Sequence, residues 1–279
     1  MTVLVFGASS QVGHYLLPLL SARDEPVVAL SRMPHADSAG VTWVTGSLPG
    51  SVPGVQSVSA IFSLGPLSLF AAWLSRADLP HAPRIIATSS MSAESKRKSD
   101  VPAERELSQS LRDSEDILAA ACVRHGSEWT VLRPTLVYGA GLDKNLTPIA
   151  QRAMRTRVFP LPAGRGLRQP VHAEDVARAA LAACDTSAAA MKMLAIGGGE
   201  RLPVGEMFAR VHHSLPMDTL PLPLPAWSLR LMLHGVPKLR GPLSRLEVDL
   251  IADNTEMTRL LGIRPRPFRP DADCWQPPR

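Results

Sequence analysis

The chain has 279 residues, 45% of them hydrophobic and 20% charged, with a net charge of +5. That length suits one large α/β domain with a smaller lobe and allows a sizeable core. The basic residues are scattered among acids, apart from the run Lys96-Arg97-Lys98. This argues against nucleic acid and for a small anionic ligand met by a few placed arginines.

Three cysteines, Cys122, Cys184 and Cys274, lie far apart with no metal-ligand or CxxC spacing, so no metal site is expected and a reducing compartment is. The start, MTVLVFGASS, lacks the basic and long apolar parts of a signal peptide. No apolar run reaches the ~18 residues that span a bilayer. A cytoplasmic protein away from membranes is expected.

In chain order, Thr2 to Phe6 reads as a buried parallel strand. A glycine turn over Gly7 to Gly13 follows, then a helix with Pro18 inside it, where a kink is expected. Strands are predicted at Pro26 to Arg32, Val41 to Gly46, Val58 to Gly65 and Arg84 to Ser90, with a helix through Leu69 to Ala77. A polar loop leads to a helix containing Glu104 to Ala121, and Glu128 to Pro134 forms a sixth strand. Strands alternating with helices predict a Rossmann-type, doubly wound parallel sheet.

Beyond Pro134 the pattern changes. A loop, a basic helix from Thr147 to Arg157, a glycine-arginine loop, a helix opening near Glu174 and a strand at Met191 to Gly199 are expected. The remainder is helical and proline-rich, and Ala226 to Val236 reads as lobe core with a wet basic face. The predicted division is a nucleotide domain over 1–139 with contributions from about 169–198. A smaller, mainly helical lobe covers 140–168 and 199–279.

The segment VFGASSQVG joins a strand to a helix start. Gly7 allows a tight turn, Gly13 allows close helix–strand packing, and the amides between them face a helix N-terminus that favours a pyrophosphate. The second strand ends in Ser31 and Arg32 with no acid nearby. NAD binding uses a carboxylate there, whereas arginine can pair with a 2′-phosphate, so NADP(H) is expected over NAD(H).

The segments VLVFGASSQVG, RIIATSS, LRPTLVYGAG, GRGLRQPVHAEDVARA and ADNTEMTRLLGIRPRPF occur in the order seen in the extended short-chain dehydrogenase/reductase superfamily, in its epimerase/dehydratase form. The chain resembles that family along nearly its whole length. The resemblance implies cofactor contacts at Gly7, Ser9, Ser10, Gln11, Val12, Gly13, Ser31, Arg32, Leu64, Gly65, Pro66, Thr88, Ser89 and Pro134. It implies a catalytic serine at Ser90, a loop beside the nicotinamide at Pro134 and Tyr138, and a substrate-diphosphate arginine at Arg168. Ser10 stands where the family has its middle glycine, and Ser47 where it often has an aspartate.

The family's Tyr-x-x-x-Lys motif is absent. With Glu115 taken as the glutamate that follows that motif, Leu107 and Leu111 occupy the tyrosine and lysine positions. The two tyrosines, Tyr15 and Tyr138, are followed four residues later by Leu19 and Leu142, so no register restores the pair. Leucine can neither carry the proton nor lower a neighbour's pKa. Three alternatives stay open. An oxidoreductase or epimerase-like enzyme could use another donor, Ser90 or Tyr138 first, Lys144 or His172 after them. The chain could instead bind the dinucleotide without turnover, as a sensor or accessory subunit. Or the cleft could serve another anion through Arg133, Arg165 and Arg168. By resemblance, the opening helix could also pair two copies through Leu107, Leu111, Ile117 and Leu118.

Overall fold

The structure, a computed structural model, describes residues 2–23, 25–52, 54, 57–225 and 245–277. The predicted lobe-core segment 226–236 lies outside them.

Seven parallel strands form the main sheet. They are β1 (Thr2–Phe6), β2 (Val27–Ser31), β3 (Val41–Thr45), β4 (Val58–Ser63), β5 (Arg84–Thr88), β6 (Trp129–Pro134) and, as the last edge, Lys192–Ile196. The spatial order runs from that edge through β6, β5, β4, β1 and β2 to β3. The chain therefore winds outward one way from β1 to β3, then returns to start again beside β1 with β4. Between β1 and β4 the order reverses, and in such sheets that crevice at the carboxyl ends takes the ligand.

The inner strands are apolar on both faces because helices cover both. On one face, Val12, Leu16 and Leu20 of α1 (Gln11–Ser21) pack with Val3, Val5 and Ala29 and with an alanine ridge, Ala179, Ala180 and Ala183, of the helix Ala173–Asp185. Small side chains let those two helices lie close together. On the other face, Phe70 and Leu74 of α2 (Leu67–Leu74) pack with Leu118, Ala121 and Cys122 of the long helix Pro102–His125. That long helix has Pro102 in its first turn and Gly126 in the left-handed conformation at its end, the usual start and stop residues. The α1 helix continues through Pro18 as one element rather than breaking there.

A third apolar cluster joins Tyr138, Leu146, Ala150, Phe159, Met207, Val211, Phe268 and Trp275. Two departures from the predicted pattern lie around it. Val137–Tyr138, within the predicted loop, pairs in parallel with Val171–His172. Leu220–Leu224, within the predicted helical part, is a strand paired to Val158–Pro162. Alternating proline and leucine cannot hold a helix but can form an edge strand.

Candidate functional site

The β1–α1 turn is built by close contact. Gly7 has φ +70°, and a Cβ on it would lie 2.8 Å from the Gly65 amide nitrogen and the Leu64 carbonyl carbon. A Cβ on Gly13 would lie 2.2 Å from the Ala8 carbonyl oxygen. Both positions therefore need glycine, one for its backbone angle and one for space. Ser10 caps α1, its hydroxyl accepting the Gly13 N–H at 3.2 Å. The Leu64 N–H donates to the Phe6 carbonyl, so the turn after β4 stands directly beside the turn after β1. A Cβ on Gly65, by contrast, would meet nothing within 4 Å.

Polar atoms collect at this crevice. Gln11 Oε1, Ser63 Oγ and Ser89 Oγ are buried without a hydrogen-bond partner among the described residues. Buried polar groups are normally paired, and orphans call for a reason. Ser89 and Met91 donate backbone N–H bonds to Leu132 and Pro134, which extends the β5–β6 pairing and sets Ser90 beside Pro134. Ser90 Oγ accepts the Ser92 N–H at 3.1 Å, and Thr88 Oγ1 donates to the Ser63 carbonyl at 3.3 Å. Pro66 and Val12 complete this edge, one before α2 and one in the first turn of α1.

At the end of β2, Ser31 is buried and Arg32 exposed. Arg32 makes no hydrogen bond or ion pair with the described residues. The nearest following acid, Asp37, is committed to the Trp43 N–H at 2.7 Å. A crevice with open backbone at Gly65 and unpartnered polar atoms at Gln11, Ser63 and Ser89 fits a nicotinamide dinucleotide.

The opposite side is different in character. Leu107 is 43% exposed and Leu111, one turn on, is partly buried. The stripe continues to Glu115, which is fully buried and holds Arg133 of β6 through two hydrogen bonds, at 2.8 and 2.5 Å. Arg133 also bonds Glu94 at 2.9 Å. From the sequence, Glu115 only sets the helix register, and this pair is not foreseen. The pair corrects the reading of Arg133 as an anion-binding residue, since its guanidinium is occupied by two carboxylates. Leu118 is likewise buried, so of the four apolar residues proposed for pairing two copies only Leu107 and Ile117 are exposed, with Val123 also exposed further along the helix.

Tyr138 is 1% exposed, edge-on to His172 and Phe268. Burial, with lesser raising effects from Cys274 and Asp175 that outweigh Arg266, pushes its phenol well above the ordinary tyrosine range. It packs in the third apolar cluster rather than lining the crevice, which removes the physical basis for a direct proton donor there. His172 caps the Ala173–Asp185 helix, Nδ1 accepting the Glu174 N–H at 3.2 Å. Its pKa is lowered, chiefly by burial and then by Arg266. Arg168 is 5% exposed and donates to the Leu167 and Val248 carbonyls, each at 2.8 Å. Val248 and Leu250 face Lys96, Lys98, Asp100 and Glu104 across a cavity of about 230 Å³. No group of His, Cys, Asp and Glu among the described residues could hold a metal ion, and no helix among them is long and apolar enough to cross a membrane.

Residues 87–197 match the model of the NAD dependent epimerase/dehydratase family. The UDP-glucose 4-epimerase of Vibrio cholerae is 26% identical over 161 residues, 56% of this chain and 48% of that protein, so the match spans about half the relative's length. Among solved structures, the UDP-glucuronic acid 4-epimerase of Bacillus cereus in complex with NAD superposes with a TM-score of 0.70 at 14% identity, covering 99% of this chain and 96% of that one. MoeE5 in complex with UDP-glucuronic acid and NAD gives 0.69 at 18%, covering 95% and 94%. The UDP-glucose 4-epimerase of Thermotoga maritima with UDP-glucose gives 0.69 at 17%, with the same coverage. At these identities the structural likeness concerns the fold. The Rossmann-type fold is shared with these epimerases, and the family model matches the part of the chain given above. The epimerase/dehydratase signature lies in the segment from the end of β5 to the last strand of the sheet.

Proposed function

We propose that the chain binds NADP(H) and acts as a reductase-like or epimerase-like protein on an anionic or nucleotide-linked small molecule, with a proton donor other than the family's tyrosine. The observation that carries this is the crevice between β1 and β4. Its glycine turns leave Gly65 open, its buried polar atoms lack protein partners, and its β2 end offers Arg32 with no free acid.

When bound, the dinucleotide supplies or accepts the hydride. The chain's own part is to hold it: the α1 N-terminus for the diphosphate, Arg32 for a 2′-phosphate and Gln11 and Ser89 as polar contacts. Ser90 is the best-placed hydroxyl. Its oxygen already accepts the Ser92 N–H, and its own proton can be directed to a ligand. Arg168, held to the Leu167 and Val248 carbonyls, is kept as the substrate-diphosphate arginine on the family resemblance alone, since the neighbouring cavity balances Lys96 and Lys98 with Asp100 and Glu104. The substrate lobe proposed is 140–168 with 199–279, the compartment the cytoplasm, and a homodimer through Leu107 and Ile117 the assembly.

A second reading is dinucleotide binding without turnover, in a sensor or accessory subunit. It is favoured by Leu107 and Leu111 together with the burial of Tyr138. The readings separate on one assay. Purified protein is given NADPH with a panel of carbonyl compounds and nucleotide sugars, and absorbance at the reduced nicotinamide band is followed. Consumption supports a reductase, conversion of a nucleotide sugar to its epimer without net consumption (followed by chromatography) supports an epimerase, and saturable binding with neither supports the second reading. Failure to bind at millimolar concentration contradicts both.

A further inference from the structure

His35 lies beyond the end of β2, in a stretch that neither the glycine turn nor the family resemblance assigns. Its ring stacks on Trp43 of β3, centroids 4.2 Å apart and planes 30° apart. Its Nε2 lies 3.1 Å from Ser31 Oγ. Ser31 is buried at the strand end, and its hydroxyl oxygen also accepts the Met33 N–H at 3.1 Å. The loop thus turns back on itself, so that His35, though exposed, is held against Ser31 and Trp43 at the strand end that Arg32 follows.

We infer that His35 is a specificity-determining residue that joins Arg32 and Ser31 in gripping the 2′-phosphate of NADP(H). This rests on the reading of the crevice as a dinucleotide site. Proton counting supports the inference. A neutral imidazole brings one N–H and the serine one O–H, and their mutual hydrogen bond consumes one of the two. If Ser31 donates to Nε2, the imidazole N–H at Nδ1 faces outward. If Nε2–H donates to Ser31, the hydroxyl proton is released. Either tautomer leaves one donor for an anion beside the Arg32 guanidinium, and a protonated imidazole would leave two.

The charges around the ring fit. From its own loop Arg32 is the sole cation, and residues 31 to 36 contain no acid. Asp37, the one carboxylate nearby in the loop, is held to the Trp43 backbone on β3. Trp43 fixes the ring's plane, so little rotamer freedom is lost when a phosphate arrives.

The test measures dissociation constants of NADPH and NADH for the wild type, Arg32→Ala, His35→Ala and His35→Glu, with melting curves to confirm folding. A charge-assisted hydrogen bond lost from a phosphate corresponds to about 10-fold in affinity. His35→Ala is expected to weaken NADPH by about that factor and to leave NADH within about twofold. His35→Glu should weaken NADPH further while still leaving NADH alone. If the NADPH/NADH ratio falls in Arg32→Ala but stays at the wild-type value in both His35 variants, the His35 inference is overturned and the cofactor reading stands. If the wild type binds both dinucleotides equally, the NADP(H) reading fails and His35 falls with it.

Discussion

On the β1–β2 side of the crevice, glycines sit where no Cβ fits, Arg32 is unengaged among the described residues, and Asp37 is tied away from the strand end. On the β5 side, the long helix Pro102–His125 presents Leu107 and Leu111 one turn apart, while Glu115, the next residue of that stripe, keeps its ion pair with Arg133. The same helix holds the residue that anchors it to the sheet and, in the register proposed from Glu115, carries leucines at the two stripe positions before it. The two ends of the stripe differ: buried Glu115 needs its partner, whereas Leu111 and Leu107, one and two turns away, are more exposed and freer to change.

The largest expected effect strikes the scaffold. Removing one partner of a buried ion pair costs about 3–5 kcal/mol, so Glu115→Ala should lower urea-unfolding stability by roughly that amount. An unchanged midpoint would mean that Arg133 finds another partner and that the pair does not hold the helix. Next comes Gly13→Ala. Its Cβ would press on the Ala8 carbonyl, and overpacking costs about 1–3 kcal/mol. Melting temperature and NADPH affinity should fall together, and a stable variant with normal affinity would show that α1 can shift.

Arg32→Ala touches only the cofactor side. Loss of an arginine–phosphate contact is worth about 10- to 100-fold, read as NADPH affinity with melting temperature unchanged. Equal loss for NADH would place Arg32 at a site other than the 2′-phosphate. Tyr138→Phe probes the other side. It removes one hydroxyl from a packed cluster, costing about 1 kcal/mol, and any NADPH turnover should be unaltered. A fall in turnover by ~10²-fold or more would restore Tyr138 as an acid.

The smallest effect is a pH dependence. Burial holds His172 below its ordinary value, 6.5. The unfolded chain therefore binds a proton first as pH falls, and the stability present above pH 6.5 is lost as pH falls through the lower folded value. Denaturation midpoints measured from pH 7.5 to 5 should decline, and less so in His172→Gln.

Much of this was legible from residue order. The β-branched runs and the Gly7 and Gly13 spacing announced a doubly wound sheet, because buried parallel strands and tight βα turns tolerate few other residues. The absent tyrosine–lysine pair was likewise a matter of counting. Side-chain direction was not legible. Tyr138 has the composition of a donor, but its strand turns it into a core that residues as distant as Phe268 and Trp275 complete. Arg133 looked like a ligand arginine until Glu94 and Glu115 were found on it. His35 gave no signal at all, because its approach to Ser31 depends on a loop fold and on Trp43 from another strand.

The central claim is that dinucleotide binding is kept while the family's proton pair is gone. It is tested most directly by calorimetric titration of the wild-type chain with NADPH and with NADH at neutral pH. The account predicts saturable one-to-one binding of NADPH, at least about 10-fold tighter than NADH. Absence of heat with either dinucleotide at millimolar concentration would contradict it.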